Sequence, residues 1–244
     1  MLINKTYNKK FLIGDLHGKW GSIPRHLDTM PSNICYLQVG DFGIGFYDNE
    51  MDKLRKLNDF LVEKNSDIYI IRGNHDNPYW FNDDIYDNLK SELTNIFFIP
   101  DYTVLNIENE NILCIGGAIS IDRIPRIKRG IENGTTEYWP DEKIIFDYDK
   151  ANSYRNIDRM VTHTSPNFAM PWSIGKIVYE FAEKDKSLIK DITTERTKLT
   201  DLVNIIMSNN KLKGYYYGHF HNYYTTYVNN CEFICVNVNQ FLQF

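Results

Sequence analysis

Five times in this chain an apolar run of strand length breaks off, and a side chain of metal-ligand type follows at once. Phe11-Leu12-Ile13 gives way to Gly14-Asp15-Leu16-His17, and Ile34 to Val39 gives way to Gly40-Asp41. Ile68 to Ile71 ends, after Arg72, in Gly73-Asn74-His75-Asp76. Met160-Val161-Thr162 ends in His163, and Tyr215 to Gly218 ends in His219-Phe220-His221. A short apolar run bounded by turn residues reads as a buried strand. The carboxyl ends of such strands are where open α/β sheets bind ligands. Asn74 offers an amide oxygen suited to a cation, and His75 an imidazole suited to a metal or to proton transfer.

Between the first three runs, Ile23, Leu27 and Met30, then Met51, Leu54, Leu57 and Leu61, recur at helical spacing. The opening order is therefore βαβαβ, which implies a parallel sheet with right-handed crossovers. Ile96 to Ile99, Tyr102 to Ile107 and Ile112 to Gly117 read as strands, the last two as a hairpin about Asn109-Glu110-Asn111, so the sheet becomes mixed. Residues 118–150 are the least regular part and read either as a lid or insertion over the site or as a solvated surface loop. Residues 176–209 read as helix, and Tyr223 to Val228 with Cys231 to Val238 as a closing hairpin. No repeat or linker divides residues 1–244, so one domain is expected.

The chain has six histidines, and five stand at the predicted strand ends. His26 falls mid-helix and reads as a surface residue. Clustered His and Asp of this kind are what metal sites require. On an extended segment, Asp15 and His17 project to the same side, as do His219 and His221. Asp15, His17, Asp41, Asn74, His163, His219 and His221 make seven protein donors, too many for one ion. Two ions sharing Asp41 and a hydroxide would have about five or six ligands each, which mixed N/O sites of Mn, Fe or Zn accept. Lys and Arg number 27 against 32 Asp and Glu, a net charge of −5 with pI near 5.7. That excludes a broad nucleic-acid or membrane footprint but not a phosphate substrate, because bound cations supply positive charge locally.

The series Asp15-Leu16-His17, Gly40-Asp41, Gly73-Asn74-His75-Asp76, His163 and Gly218-His219-Phe220-His221 resembles the calcineurin-like metallophosphoesterases. It spans nearly the whole chain. The resemblance implies an α/β fold of two mixed β-sheets packed as a sandwich and flanked by helices. It implies that one metal takes Asp15, His17, Asp41 and His221, and the other Asp41, Asn74, His163 and His219. By the same resemblance His75 is the proton donor and Asp76 orients it. The second motif, Gly40-Asp41-Phe42-Gly43-Ile44-Gly45, lacks the arginine that protein phosphatases of this superfamily carry, and Asp76 stands where they have glutamate. Gly116-Gly117-Ala118 with Ser120, Asp122 and Trp139-Pro140-Asp141-Glu142 looks like a phage and bacterial subgroup.

The expected activity is hydrolysis of a small phosphodiester or phosphomonoester, nucleotide-type favoured, by attack of a metal-bridging hydroxide. Two divalent ions are needed, with Mn favoured over Fe, Zn or Ni. A Ser/Thr-type protein phosphatase is the alternative within the class. A metal-binding scaffold or regulatory protein with little activity is the alternative outside it. Arg123 and Arg126 are candidates for binding substrate phosphate, whereas Arg72 reads as a structurally paired residue. Cys35, Cys114, Cys231 and Cys235 lack CxxC spacing and read as buried thiols. With no apolar signal core and no membrane-spanning run, a cytoplasmic protein is expected. Oligomeric state stays open.

Overall fold

The computed structural model describes residues 1–3, 5–172 and 174–244. In chain order, β1 (Leu2–Ile3), β2 (Lys9–Ile13), α1 (Ser22–Leu27), β3 (Ile34–Gln38), α2 (Glu50–Glu63) and β4 (Asp67–Ile70) lead into α3 (Asp83–Leu89). Then come β5 (Ile96–Phe98), β6 (Thr103–Ile107), β7 (Glu110–Ile115), α4 (Arg123–Asn133), α5 (Tyr148–Ser153) and β8 (Arg159–Thr162). The chain finishes with α6 (Lys176–Ala182), α7 (Leu188–Asn209), β9 (Gly214–Tyr217), β10 (Tyr224–Val228), β11 (Cys231–Cys235) and β12 (Phe241–Gln243). One sheet has seven strands in the order β1-β6-β7-β8-β9-β11-β10, and the other five in the order β12-β2-β3-β4-β5. Both are mixed. In the smaller sheet β2 to β5 are parallel and β12 joins β2 antiparallel. In the larger, β7, β8, β9 and β11 run parallel, with antiparallel partners β6 and β10.

Side-chain alternation explains the layering. Phe11 and Ile13 of β2, Ile34 and Tyr36 of β3, and Ile68 and Ile70 of β4 face one core with Ile23, Leu27, Leu54 and Leu61 from α1 and α2. Their neighbours Leu12, Cys35, Leu37 and Tyr69 face the opposite way, into a second core with Cys114, Val161 and Tyr216 from the larger sheet. Leu113, Ile115, Met160, Tyr215 and Tyr217 then face a third core with Leu199, Leu202, Val203 and Ile206 of α7. Strands buried on both faces read as continuous apolar runs rather than alternating ones. The result is the expected sandwich of two mixed sheets between helices.

Several local expectations need correction. Residues 118–150 are not an irregular solvated loop: α4 occupies the centre, and Trp139, Glu142 and Ile144 are buried. The 176–209 stretch is two helices. Between them Asp185 accepts from the Ser187 backbone amide at 3.3 Å and pairs with Arg123, anchoring a turn. His26 is half-buried, stacked on Phe241 with ring centroids 4.1 Å apart, and bonded through Nδ1 to the Tyr36 hydroxyl at 2.9 Å. Strands β1 and β12, of two and three residues, are too short to show a period in the sequence.

Candidate metal centre

The structure brings all seven candidate ligands to the line where the carboxyl ends of the two sheets meet. Asp15, Asp41 and Asn74 follow β2, β3 and β4 of the smaller sheet; His163 follows β8, and His219 and His221 follow β9, of the larger. The reason is not the one the spacing suggested. His17 (φ 46°), Asp41 (φ 56°), His219 (φ 68°) and His221 (φ 50°) are left-handed rather than extended. That conformation costs a non-glycine residue about 1–2 kcal/mol, and such strain concentrates at functional sites. Two glycines allow the approach: a Cβ on Gly73 would stand 2.1 Å from Asp41 Oδ1, and one on Gly218 2.2 Å from Asp15 Oδ1.

The donors form two overlapping sets. Asp15, His17, Asp41 and His221 each offer one ligand atom within 4.8 Å of the others. Nε2 of His17 and Nε2 of His221 face each other at 3.0 Å, and the latter lies 3.2 Å from Asp15 Oδ2. In the second set, Asn74 Oδ1 is 3.0 Å from His163 Nε2 and 2.9 Å from His219 Nδ1. Asp41 belongs to both: Oδ1 is 3.2 Å from His163 Nε2, while Oδ2 is 3.9 Å from His17 Nδ1. Burial opposes charge on Asp41, yet His163 and His75 hold its carboxyl well below the usual range. Burial likewise opposes charge on His163, but Asp41 beside it keeps that imidazole up at about 10. Burial, with His163 nearby, pushes His219 well below its ordinary value. A ligating imidazole nitrogen must be unprotonated, so a divalent cation and the His163 proton are alternatives. Carboxylates, imidazoles and one amide oxygen at these separations suit borderline divalent cations.

Asn74 is aimed by a buried network. Its Nδ2 donates to Ser120 Oγ at 2.9 Å; Ser120 Oγ donates to Glu142 Oε2 at 2.8 Å, and Ser120 N to Glu142 Oε1 at 2.7 Å. With the amide nitrogen held there, the oxygen faces the histidines. Arg126 completes the network: its Nη1 donates to the Asn74 carbonyl at 3.1 Å and to Ser120 Oγ at 2.5 Å, and the residue is 1% exposed. It supports a candidate ligand and does not line the cavity beside the centre. Arg123 does not line it either. Its guanidinium is taken up by Asp185, by Ser187 Oγ at 2.8 Å and by Asp191 at 2.7 Å. The pair of substrate arginines suggested by the sequence is thus a pair of structural ones. Arg72 is structural as expected, donating to Asp101 at 2.9 and 2.7 Å.

The Arg123 cluster makes a stability prediction. The guanidinium hydrogen bond lowers the Asp185 carboxyl below its ordinary 3.8. A depressed carboxyl stabilises the fold above its unfolded value, and that contribution is lost as pH falls through the folded one. Arg123→Met should cost about 3 kcal/mol at neutral pH, as broken buried pairs do. In denaturant titrations the gap from wild type should narrow below about pH 4, as Asp185 takes up a proton. A gap independent of pH would contradict this account.

Asp76 also departs from its expected role. Its carboxylate accepts from the backbone amides of Gly73 (2.7 Å), Gly43 (2.6 Å), Ile44 (3.2 Å) and Phe42 (3.2 Å). It ties the two ligand-bearing turns together, and no hydrogen bond joins it to the His75 ring among the described residues. The carboxylate that faces this ring is Asp122, with Oδ1 4.0 Å from His75 Nε2. Burial lowers the His75 imidazole to about 4, against the pull of Asp41 and Asp122. Along the sequence Ser120, Asp122 and Glu142 stand out only as parts of a pattern; their roles need the fold.

A cavity of about 370 Å³ opens beside the centre. His17, Asp41, Asn74, His75, His219 and His221 form one side. Ile121, Trp172, Ile177, Val178, Phe181 and Phe220 form an apolar wall, and Asp122 and Arg196 complete the lining.

The model of a family described as calcineurin-like phosphoesterase matches residues 10–223. Among solved structures, TT1561 of Thermus thermophilus aligns with TM-score 0.51 at 9% identity, over 96% of this chain and 90% of that one. Phosphopantetheinyl hydrolase (PptH) from Mycobacterium tuberculosis aligns with TM-score 0.50 at 14% identity, over 97% and 95%. At such identities the likeness speaks for the fold alone. No curated protein sequence matches.

Proposed function

Because this chain belongs to the calcineurin-like phosphoesterases, metal-dependent hydrolases of phosphoric esters, we propose that it hydrolyses a small mono- or diester of nucleotide type at a centre for two divalent ions. The observation that carries this reading is Asp41, whose two oxygens face different donor sets. On this reading Asp15, His17, Asp41 and His221 hold one ion, and Asp41, Asn74, His163 and His219 the other. When bound, the pair supplies positive charge and an acidified water for attack on phosphorus. The mixed N/O donor set suits Mn, and also Fe, Zn or Ni.

The chain's own groups do the rest. His75 lies outside both donor sets and lines the cavity, its ring centroid 5.0 Å from that of His17. It is the proposed proton donor to the leaving alkoxide, with Asp122 as its partner. An entering phosphate anion favours the protonated ring, against the burial that disfavours it. The apolar wall excludes water and accepts the organic part of the ester. Among the described residues no helix is long and apolar enough to cross a membrane. The four cysteines are buried and free, which supports the proposal of a reducing, cytoplasmic setting.

The test is turnover of a chromogenic aryl monoester, a bis-aryl diester and a phosphopeptide with added manganese, with and without chelator. Chelator-sensitive turnover of the small esters is expected. Metal uptake without turnover of any ester would leave a metal-binding scaffold, and preference for the phosphopeptide would leave a protein phosphatase.

A further inference from the structure

Helix α7 carries a basic residue where its pattern calls for an apolar one. Ile192, Leu199 and Val203 line the buried face, and Arg196 shares that register at four residues from the first and three from the second. It is 8% exposed. Its guanidinium lies 5.2 Å over the ring of Phe220, the residue between His219 and His221, and Nη1 is 3.4 Å from Met170 Sδ. Arg196 is also the arginine that lines the cavity beside the candidate ligands. The neighbouring Glu195, also buried, accepts from the Ile119 amide at 3.2 Å; burial lowers the Arg196 guanidinium below its ordinary value, and the Glu195 charge beside it acts the other way. A guanidinium presents a planar fork of donors that matches phosphoryl oxygens, and an aromatic face beneath it fixes the plane of that fork.

We propose that Arg196 is the specificity-determining cation of this cavity: it contacts phosphoryl oxygens and favours dianionic monoesters over singly charged diesters, whose second organic group meets the apolar wall. The inference rests on the phosphoesterase reading of the same centre. A monoester dianion carries one charge more than a diester, so an added cation lowers its free energy more. Trp172, Phe181 and Phe220 line the same cavity as Arg196 and are apolar, and among the described residues no second lysine or arginine lines it. Arg196 thereby takes the place first expected of Arg123 and Arg126.

The experiment compares wild type, Arg196→Gln and Arg196→Lys, each loaded with manganese. The readouts are metal content, melting temperature, inorganic-phosphate affinity by calorimetry, and kcat/KM on an aryl monoester and a bis-aryl diester. Arg196→Gln should weaken phosphate binding and monoester kcat/KM by about 10- to 100-fold, as loss of a charged hydrogen bond does. The diester should suffer less, metal content should hold, and Arg196→Lys should recover part of the loss. Unchanged phosphate affinity and an unchanged monoester-to-diester ratio, in a folded and metal-loaded variant, would overturn the proposal. Should Arg196→Gln fail to fold, the Arg196 Nε–H resonance of the wild-type protein decides. It should shift on saturation with inorganic phosphate, and its constancy would overturn the assignment. Wild-type protein that binds phosphate through Arg196 but hydrolyses neither ester would sink the enzymatic reading instead.

Discussion

Asp41→Asn is expected to reduce turnover to background and to leave the purified protein short of bound metal, while the fold survives. Asn tolerates the left-handed backbone that Asp41 adopts at φ 56°. Its amide oxygen can still accept the bond that the His75 backbone amide donates to Asp41 Oδ1 at 2.7 Å. What is lost is the charge and the second acceptor, and those are the features that allow one carboxylate to face both donor sets. Disturbing even the outer partners of a metal ligand lowers metal affinity about 10- to 100-fold; removing a shared carboxylate should do at least as much. Elemental analysis and a thermal melt on the same sample are the measurements. Full metal content with normal turnover would show that Asp41 is no bridge.

His75→Ala should behave in the opposite way, keeping its metal and losing its chemistry. The side chain lies outside both donor sets, so metal content should match wild type. On an ester with a poor leaving group, loss of a proton donor should cost about 10²- to 10⁴-fold in kcat. On an aryl ester whose leaving phenolate needs no proton, the loss should be much smaller. Equal losses on the two esters would mean that His75 positions substrate and does not protonate it. Asp122→Asn offers a companion measurement, since it alters the carboxylate facing the ring without touching a candidate ligand.

What could be read from the sequence was what depends on neighbours along the chain. The continuous apolar runs of β2, β3 and β4 are local, so the strands and the positions of the residues after them were legible. Gly73 and Gly218 were legible as punctuation, although their use, giving Asp41 and Asp15 room, emerges only when strands from different places lie side by side. Burial by distant segments was not legible. Arg123 and Arg126 looked like a basic patch because they are close in sequence. Their partners lie 62 and 52 residues away, at Asp185 and at the Asn74 carbonyl. Asp76 follows His75 directly, yet its carboxylate is drawn to amides more than 30 residues earlier, at Phe42, Gly43 and Ile44. Arg196 left a trace, a cation in an apolar register, but which cavity it would line depended on the packing of α7 against the turn after β9.

The candidate ligands are shared between the two sheets: Asp15, Asp41 and Asn74 from the strand ends of one, His163, His219 and His221 from those of the other, with His17 on the turn after β2. A pair of ions there would act as a clasp across the seam of the sandwich. Loading the centre to about 100 times its dissociation constant would add about 2.7 kcal/mol to the native state. Much of that gain would resist separation of the halves, so a chelator should speed amide exchange along Val39 and Gly218, on opposite lips of the seam, before it loosens either helical layer.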